Sequence, residues 1–288
     1  MKSSLKRPFC IAVFAILFSS FGCSKPAPAP SVSDKSSPLN SSSLSSVDNN
    51  ESTSKPQNAP VDPDVWDLSD VDVSNVDTNK KLISFTFDDS PNRTLENIFA
   101  VYAEYNEQNP DCKATATVFF NGYLMNAQSP HLLATACALG FELGNHTYSH
   151  YDLTTLDEAT LRDEIDRMDD LLGAVDGKKR HLLRAPYGKT SDFIKARSPV
   201  PLINWTIDTL DWTGVSADAI YRTVYDNRFS GAIVLMHDGP KNTVDALKRL
   251  LPDLKADGYQ VVGVSQLAKA HGCVLKKGST YIRARKQF

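Results

Sequence analysis

The chain has 288 residues, of which 41% are hydrophobic and 23% are charged, and this composition is typical of a folded globular protein. Its formal net charge at pH 7 is −3, and loss of residues 1–22, which hold three basic and no acidic residues, would change it to −6. A negative charge of this size excludes the basic surface expected of a nucleic-acid-binding protein.

The features of the N-terminal segment follow one another in the order typical of an export signal. Residues 1–22 contain a basic stretch, an apolar run too short to span a bilayer, and small residues before Cys23. The Gly22-Cys23 end resembles bacterial lipoprotein signals, in which the cysteine carries the lipid, although Ser20 and Phe21 fit that pattern poorly. The polar low complexity after Cys23 favours a lipoprotein anchored in the cell envelope. The alternative is a secreted or periplasmic protein.

Two polar segments precede the predicted folded part. Residues 23–63 are rich in Ser, Pro, Asn and Asp, and they cannot bury enough apolar surface to offset the entropy cost of ordering. We predict a disordered tether there, with a reach of roughly 35 Å. Residues 64–80 alternate Asp with Val or Leu and are predicted to form an extended lead-in. They lack the Gly and the final Glu of a calcium-binding loop.

From residue 81 onward, short β-rich apolar runs alternate with longer segments of helical period, which predicts parallel strands joined by helical crossovers. The predicted strands are 82–87, 116–120, 141–145, 181–185, 202–207, 232–236 and 260–264. The predicted helices are 94–107, 157–173 and 244–258. Seven β/α units in about 190 residues favour an α/β fold of the distorted (β/α) barrel type, with a single catalytic domain over 81–272. No glycine-rich phosphate loop follows the first strand, which argues against a nucleotide-binding fold.

Two smaller predictions concern the end of the chain and the cysteines. Residues 273–288 are basic and are predicted to be a solvated tail rather than a binding surface. Three cysteines follow Cys23, namely Cys112, Cys137 and Cys273, so at most one internal disulfide can form. We predict the pair Cys112–Cys137, which an exported protein permits.

Functional side chains of a parallel barrel collect where the strands end. Those positions hold carboxylates, imidazoles and an arginine in this chain: Asp88 and Asp89, Asn145 and His146, residues 184–188, residues 208–212, and His237 with Asp238. This concentration of chemistry at strand ends predicts one active site at that edge of the sheet.

The segment GNHTYSH predicts two metal ligands. His146 and His150 are four residues apart, and on a helical turn this spacing would place both imidazoles on one face. A carboxylate from a neighbouring strand would complete a two-His, one-Asp site that leaves room for water. Zinc is the predicted ion, and because the site would lack thiolates, cobalt, manganese, nickel and iron stay as alternatives.

The adjacent pair Asp88-Asp89 has two interpretations. Turn composition alone would explain acidic residues at the end of a strand. Alternatively, because side chains alternate along an extended chain, one aspartate would face a metal while the other faces the attacking water. The other strand-end motifs favour the second interpretation.

Five segments in this order, TFDDSP, HTYSH, RAPYG, DTLDW and LMHD, resemble the motifs of the polysaccharide deacetylase family (carbohydrate esterase family 4, the NodB-homology domain). The resemblance covers about residues 81–270. It implies a distorted (β/α) barrel that uses one divalent metal ion to remove acetyl groups from carbohydrates. Ser90 stands where the family usually has glycine, a departure that removes no catalytic group.

The resemblance also implies roles for individual residues. Asp88 would be the general base, and the metal ligands would be Asp89, His146 and His150. Arg184 would pair with Asp88.

The remaining implied roles concern the acid and the substrate. Asp211 would orient His237, the general acid. The Tyr187 backbone N–H would donate to the oxyanion. Residues implied to line the groove or the acetyl pocket are Pro186, Tyr187, Trp212 and Leu235.

Several other polar or aromatic residues are given simpler interpretations. Trp205 is predicted to be a core residue and Asp238 a loop residue. Asp208 could support Asp211 or cap a loop, and both alternatives stay open. Away from the strand ends, no role is assigned to His131, His181 and His271.

The predicted substrate is an acetylated polysaccharide or oligosaccharide, with N-acetylglucosamine units of a cell-wall or chitin-like polymer as the first choice. One alternative is an O-acetyl esterase that acts on acetylated xylan or a related glycan. Another is a non-catalytic carbohydrate-binding relative, which loss of a ligand or of the base would mark. The histidine pair, and the lack of a more widely spaced carboxylate pair, argue against a glycoside hydrolase.

Overall fold

The computed structural model describes residues 62–285. The predicted signal peptide, Cys23 and nearly all of the predicted tether lie outside the described residues. Between residues 62 and 285, no helix combines the length and the apolar character needed to cross a membrane.

The described chain alternates strands with helices, as its sequence predicts. The strands are β1 (Lys81–Ser90), β2 (Thr117–Phe120), β3 (Glu142–Asn145), β4 (Leu202–Ile203), β5 (Ile207–Asp208), β6 (Ile233–His237), β7 (Tyr259–Val262) and β8 (Thr280–Tyr281). The helices are α1 (Leu95–Gln108), α2 (Ser129–Ala138), α3 (Glu158–Asp176), α4 (Asp192–Arg197), α5 (Ala217–Asn227), α6 (Lys241–Ala256) and α7 (Val264–Ala270).

Strand β1 is the centre of a parallel sheet with the order β3-β2-β1-β6-β5. On one side it pairs with β6, in register from Ser84 opposite Ile233 to Asp88 opposite His237. On the other side its first half pairs with β7 and its second half with β2. Because both faces of this strand are covered, nearly all of its side chains are buried, as is usual in parallel sheets. The predicted α/β fold with parallel strands is therefore confirmed.

The sheet is irregular between β3 and β5, and continuous strand pairing does not close the predicted barrel there. The strand predicted at 181–185 is reduced to Leu183, which makes single bridges to Asn145 and Leu202. The strand predicted at 202–207 is split into β4 and β5. In this region the Ile203 and Asn204 carbonyls accept hydrogen bonds from the Arg184 side chain, at 3.0 and 3.3 Å.

The predicted helices bury the faces that their periodicity indicates. In α3 the buried apolar side chains are Leu161, Ile165, Met168 and Leu172. In α1 the residues Ile98, Val101, Tyr102 and Tyr105 are buried in the same way. The α1 face packs on the sheet in one large apolar cluster together with Met168 and Leu172, whereas Leu161 and Ile165 pack in a separate cluster with Leu183 and Leu202. This packing fixes the carboxyl ends of the strands relative to one another.

The lead-in lies along the domain in a series of turns. Four aspartates spaced five residues apart, Asp62, Asp67, Asp72 and Asp77, each accept a hydrogen bond from the backbone N–H two residues later. These are Asx-turns, in which the side chain substitutes for a backbone acceptor. The Lys269 ammonium donates to two lead-in carbonyls and ties the segment to α7.

Residues 273–285 match the predicted solvated tail only in part, because their basic side chains are exposed but some of their apolar side chains are buried. Cys273, Leu275 and Ala284 are buried, and β8 pairs with β4. The basic composition of the segment hides these apolar positions, because Leu275 is followed by two exposed lysines and Ala284 by the exposed Arg285.

The predicted Cys112–Cys137 disulfide is wrong for this structure. All three cysteines of residues 62–285 are free thiols, with Cys112 buried and Cys137 exposed. The Cys112 sulfur faces the Tyr259 carbonyl at 3.9 Å, whereas Cys137 lies on the outer part of α2.

Candidate active site

The carboxyl ends of the parallel strands meet at a cavity of about 370 Å³. Its lining residues come from β1, the loop after β3, the turn after Ala185, the region around β5, and β6. They are Asp88, Asp89, His146, His150, Tyr187, Trp205, Asp208, Trp212, Leu235 and His237. Eight of the residues predicted for the site therefore line one cavity. Three further predicted residues, Arg184, Pro186 and Asp211, are buried and are not among the lining residues.

A bulge at the end of β1 turns both aspartates toward this cavity. The pairing of β1 with β2 shifts register between Phe87 and Ser90, and Asp89 has the left-handed backbone angle φ of 59°. Bulges of this kind redirect side chains next to active sites. The expectation that Asp88 and Asp89 point to opposite faces of an extended strand therefore fails here.

Asp89 forms a compact cluster with two histidines. Its Oδ1 lies 3.3 Å from His150 Nε2 and 3.7 Å from His146 Nε2, and the three ligand atoms lie within 4.8 Å of one another. The Oδ1 atom is buried and has no hydrogen-bond donor. An unpaired buried carboxylate oxygen that faces two imidazole nitrogens fits a divalent ion, because such oxygens otherwise find a partner.

Both imidazoles are prepared for metal binding. His146 Nδ1 donates to the Arg184 carbonyl at 2.7 Å, and this bond fixes the tautomer that leaves Nε2 free toward Asp89. Burial, and then the neighbouring His146, lower the pKa of His150. A lowered pKa keeps the His150 ring neutral, which is the form that binds a metal.

The histidines lie on an irregular loop, so the predicted helical turn is wrong. Thr147 and His150 both have left-handed φ angles, 68° and 59°. The conformation is held by Asn145, whose side-chain oxygen accepts from the Thr147 N–H at 2.8 Å. The same amide donates to the Ile165 carbonyl and to Asp169 on α3, at 2.9 and 3.0 Å.

A second anchor of this loop is Glu164, also on α3. Its carboxylate is buried and accepts from the Ser149 N–H at 2.6 Å. Sequence reasoning placed Asn145 at a strand end without a role, and it did not find Glu164 or Asp169. The available signal was the placement of two carboxylates on the otherwise apolar, buried face of α3. His181, given no role, also contacts Asp169, through Nδ1 at 2.9 Å.

Asp88 is buried beside the cluster and paired with a fully buried arginine. Arg184 Nη1 donates to Asp88 Oδ1 and to Thr86 Oγ1, both at 2.7 Å. Burial by itself would raise the pKa of Asp88, but the charges of Arg184 and of the nearby histidines outweigh it. The net pKa lies below its ordinary value, so Asp88 is ionised and can accept a proton.

His237 and Asp211 form a second pair, and His237 is the register partner of Asp88 on the neighbouring strand β6. His237 Nδ1 donates to Asp211 Oδ1 at 2.7 Å, and the His237 backbone N–H donates to Asp211 Oδ2 at 2.8 Å. Thr243 donates its hydroxyl to the same carboxylate at 2.6 Å. Burial lowers the pKa of His237, but the hydrogen bond to Asp211 and the surrounding carboxylates raise it above its ordinary value.

Aromatic side chains form the mouth of the cavity. Tyr187 and Trp212 are largely exposed, whereas Leu235 is buried at the wall. Trp205, predicted to be a core residue, is half-buried and lines the cavity as well. Asp208 caps the following loop by accepting from the Leu210 N–H at 2.9 Å, which is one of its two predicted roles.

The unusual Ser90 is accommodated by a buried carboxylate. Its hydroxyl donates to Asp238 Oδ2 at 3.2 Å. Asp238 also accepts from the backbone N–H groups of Asn92 and Thr94. Asp238 thus acts as a loop residue, as predicted, and it holds the connection from β1 to α1.

Comparison with known proteins adds a family context to this geometry. The family model for polysaccharide deacetylase matches residues 75–198, a range that ends before Asp211 and His237. A peptidoglycan-N-acetylglucosamine deacetylase of Bacillus cereus is 33% identical over 192 residues, which are 64% of this chain and 67% of that protein. A bifunctional xylanase/deacetylase of Pseudobutyrivibrio xylanivorans is 29% identical over 197 residues, 67% of this chain but 31% of that protein. The solved structure of the peptidoglycan deacetylase PdaC from Bacillus subtilis has a TM-score of 0.62 at 31% identity, covering 68% of this chain and 93% of that one.

Proposed function

This chain belongs to the polysaccharide deacetylase family, and from this premise we propose that it removes N-acetyl groups from N-acetylglucosamine units of a cell-wall or chitin-like polysaccharide. The family predicted from the five motifs is confirmed by the identity to the Bacillus cereus relative, and the chain is a carbohydrate deacetylase. The observation that carries the finer proposal is the convergence of the Asp89 cluster, the Asp88–Arg184 pair and the Asp211–His237 pair on one cavity. The named activity of the Bacillus cereus relative supports the N-acetyl substrate.

One divalent ion, which we propose to be zinc, would be held by Asp89, His146 and His150. When bound there, it would acidify the attacking water and polarise the acetyl carbonyl. Imidazole and carboxylate ligands also suit cobalt, manganese, nickel and iron, so the ligand set by itself does not choose among these ions.

The residues around the ion divide the proton transfers between them. Asp88, kept ionised by Arg184, accepts the proton of the attacking water. The backbone N–H of Tyr187 donates to the developing oxyanion. His237, protonated and oriented through Nδ1 by Asp211, donates a proton from Nε2 to the leaving nitrogen. Trp212 and Leu235 enclose the acetyl methyl group.

The Asp211→Asn variant is expected to shift the high-pH limb of its rate profile to lower pH. The carboxylate contributes a hydrogen bond and a charge that raise the pKa of His237. Without that charge the pKa of His237 falls. Because the acid must be protonated, activity then disappears at a lower pH. The measurement is kcat against pH with a soluble N-acetyl substrate.

Asp208→Asn is the matched control, since Asp208 lines the same cavity and hydrogen-bonds only to its own loop. Its profile should keep the wild-type high-pH limb. An unchanged limb in Asp211→Asn would contradict the assignment of His237 as the acid.

Acetate release from peptidoglycan, chitin oligosaccharides and acetylxylan, assayed side by side, tests the proposed substrate. The principal alternative is an O-acetyl esterase, and the relative from Pseudobutyrivibrio xylanivorans favours it because its name includes a xylanase. Faster release from acetylxylan than from both N-acetyl substrates would establish that alternative. A non-catalytic relative would lack a ligand or the base, and all four of these residues are present here.

We further propose that the protein is exported and anchored in the cell envelope through a lipid on Cys23, or else is secreted or periplasmic. The order of the first 23 residues supports this proposal. The wild type is expected in the membrane fraction, and Cys23→Ala should move to the soluble fraction. Cys10→Ala is the matched control. Equal membrane association of wild type and Cys23→Ala would exclude anchoring through this cysteine.

A further inference from the structure

The turn that carries the proposed oxyanion donor has an unfavourable backbone conformation. Tyr187 and Gly188 both have left-handed φ angles, 62° and 66°, and Tyr187 is 62% exposed. For a residue other than glycine this conformation costs free energy, so it persists only where neighbouring groups hold it. The contacts made by the turn Pro186–Gly188 therefore decide in which direction the Tyr187 N–H points.

Two consecutive residues after β4 contact this turn. The Asn204 side chain donates through Nδ2 to the Gly188 carbonyl at 3.0 Å. The Trp205 ring packs on the same glycine, where an added Cβ atom would lie only 2.7 Å from a ring carbon. Packing limits how closely the turn can approach, whereas a hydrogen bond also has a preferred direction. The Asn204 amide therefore fixes the rotation of the turn, and with it the direction of the Tyr187 N–H.

The backbone of Asn204 is held independently of its side chain. Its N–H donates to the Tyr281 carbonyl of β8 at 2.8 Å. Its carbonyl accepts from Arg184 Nη2 at 3.3 Å, and the same guanidinium donates to Asp88. One residue thus joins the C-terminal strand, the arginine of the base and the oxyanion turn. Because only the last of these contacts uses the side chain, a substitution at this position changes the turn and leaves the base in place.

Stability does not account for an asparagine at this position. The Asn204 Oδ1 atom is buried and has no hydrogen-bond partner in residues 62–285. A buried polar atom without a partner destabilises the folded state, and a leucine of similar size would remove it. Groups that lower stability are typical of active sites, where activity requires them. The hydrogen bond to the Gly188 carbonyl is the contact that gives this amide a function.

We propose that Asn204 is a positioning residue of the reaction, which sets the direction of the Tyr187 N–H through the Gly188 carbonyl. The inference rests on the proposed function and adds to it a residue that lies outside all five sequence motifs. Because negative charge develops on the acetyl oxygen only in the transition state, a donor aimed at that oxygen raises kcat and has little effect on substrate binding.

The test compares the metal-loaded wild type with Asn204→Leu on a chitin oligosaccharide. Complete loss of one oxyanion donor costs ~10²- to 10³-fold in kcat, so a misdirected donor should lower kcat by about 10- to 100-fold. KM and metal content should stay unchanged. The second probe is an oligosaccharide in which a tetrahedral methylphosphonamidate replaces the acetamide. Its affinity should fall by the same factor as kcat, since it resembles the transition state. A merely structural defect would weaken substrate and analogue alike.

Thermal unfolding and two further variants complete the test. The Tm of Asn204→Leu should stay close to that of the wild type, because removal of the unpaired oxygen offsets loss of the hydrogen bond. Asn204→Ala removes the same donor without adding apolar bulk, so it should give the same kinetic result even if the leucine variant does not fold. Thr206→Val is the matched control. Thr206 is also half-buried and also donates to a backbone carbonyl, but to that of Ile233, away from the cavity.

Wild-type kcat and wild-type affinity for the analogue in Asn204→Leu or Asn204→Ala would overturn the inference, as would equal losses of analogue and substrate binding. Neither result bears on the deacetylase proposal, which depends on acetate release by the wild type. If the wild type released no acetate from any N-acetyl substrate, that proposal would fail. The comparison of analogue affinities between wild type and variants would still give its result.

Discussion

The Asp88→Asn variant is expected to keep its divalent ion, and its turnover should fall by ~10²- to 10⁴-fold or more. General base assistance typically contributes a factor in this range to the rate. Asparagine has nearly the same shape and can still accept the hydrogen bond from Arg184, but it cannot take a proton from water. The loss should appear in kcat with metal content unchanged. Metal analysis and acetate release on the same preparation measure both quantities.

The distance to His146 does not by itself separate the roles of the two aspartates. Asp88 Oδ2 lies 3.6 Å from His146 Nε2, and Asp89 Oδ1 lies 3.7 Å from the same atom. Two other observations distinguish them. Only Asp89 also approaches His150, and only Asp88 has an oxygen hydrogen-bonded to a buried arginine. Both observations support the proposal that Asp88 is the base and Asp89 the ligand.

Asp89→Asn is the matched control for Asp88→Asn, since the two positions are adjacent and the chemical change is identical. Asp89→Asn should lose metal and turnover together. Near-normal deacetylation by a folded, metal-loaded Asp88→Asn protein would refute the proposed base.

The parts of the site that could be predicted from the sequence are those that follow from strand order. In a parallel sheet the carboxyl ends of neighbouring strands meet at one edge. The end of β1 carries Asp88 and Asp89, and that of β6 carries His237. Because β1 and β6 pair in register up to Asp88 opposite His237, their site residues meet directly.

The parts that could not be predicted depend on tertiary hydrogen bonds. The four-residue spacing of His146 and His150 predicted a helical turn. The structure instead has left-handed backbone conformations there, which no local propensity favours and which hydrogen bonds to Asn145 and Glu164 hold in place. Likewise, the bulge at Asp89 is set by the pairing of β1 with β2. A pattern with period two contains no information about an inserted residue.

The solvent exposure predicted from the sequence pattern also differs from the structure at two places. The basic segment after Cys273 was assigned to solvent because its charges are close together in sequence, yet β8 pairs with β4. Trp205 was assigned to the core because it lies in the middle of the strand predicted at 202–207. The observed strand β4 ends at Ile203, and the Trp205 ring lines the cavity instead.

The other large effect is expected for removal of the metal or of one of its ligands. Chelation should abolish deacetylation, and readdition of zinc, cobalt, manganese, nickel or iron should show which ions restore it. His150→Ala should lower metal affinity by more than ~100-fold. Mutation of a residue that only hydrogen-bonds to a metal ligand already lowers metal affinity by ~10- to 100-fold, and loss of a ligand itself should cost more. Only two ligand atoms, on Asp89 and His146, would remain in the cluster.

Thermal unfolding separates loss of metal from loss of the fold. A ligand that binds only the native state stabilises it, so added metal should raise the Tm of the wild type and leave that of His150→Ala nearly unchanged. His131→Ala is the matched control, since His131 is an exposed histidine on α2, away from the cavity, and its variant should respond to metal as the wild type does. A full metal complement and a normal metal-dependent rise of Tm in His150→Ala would mean that the ion binds elsewhere. That result would also remove the basis for proposing Asp88 as the base and His237 as the acid next to this ion.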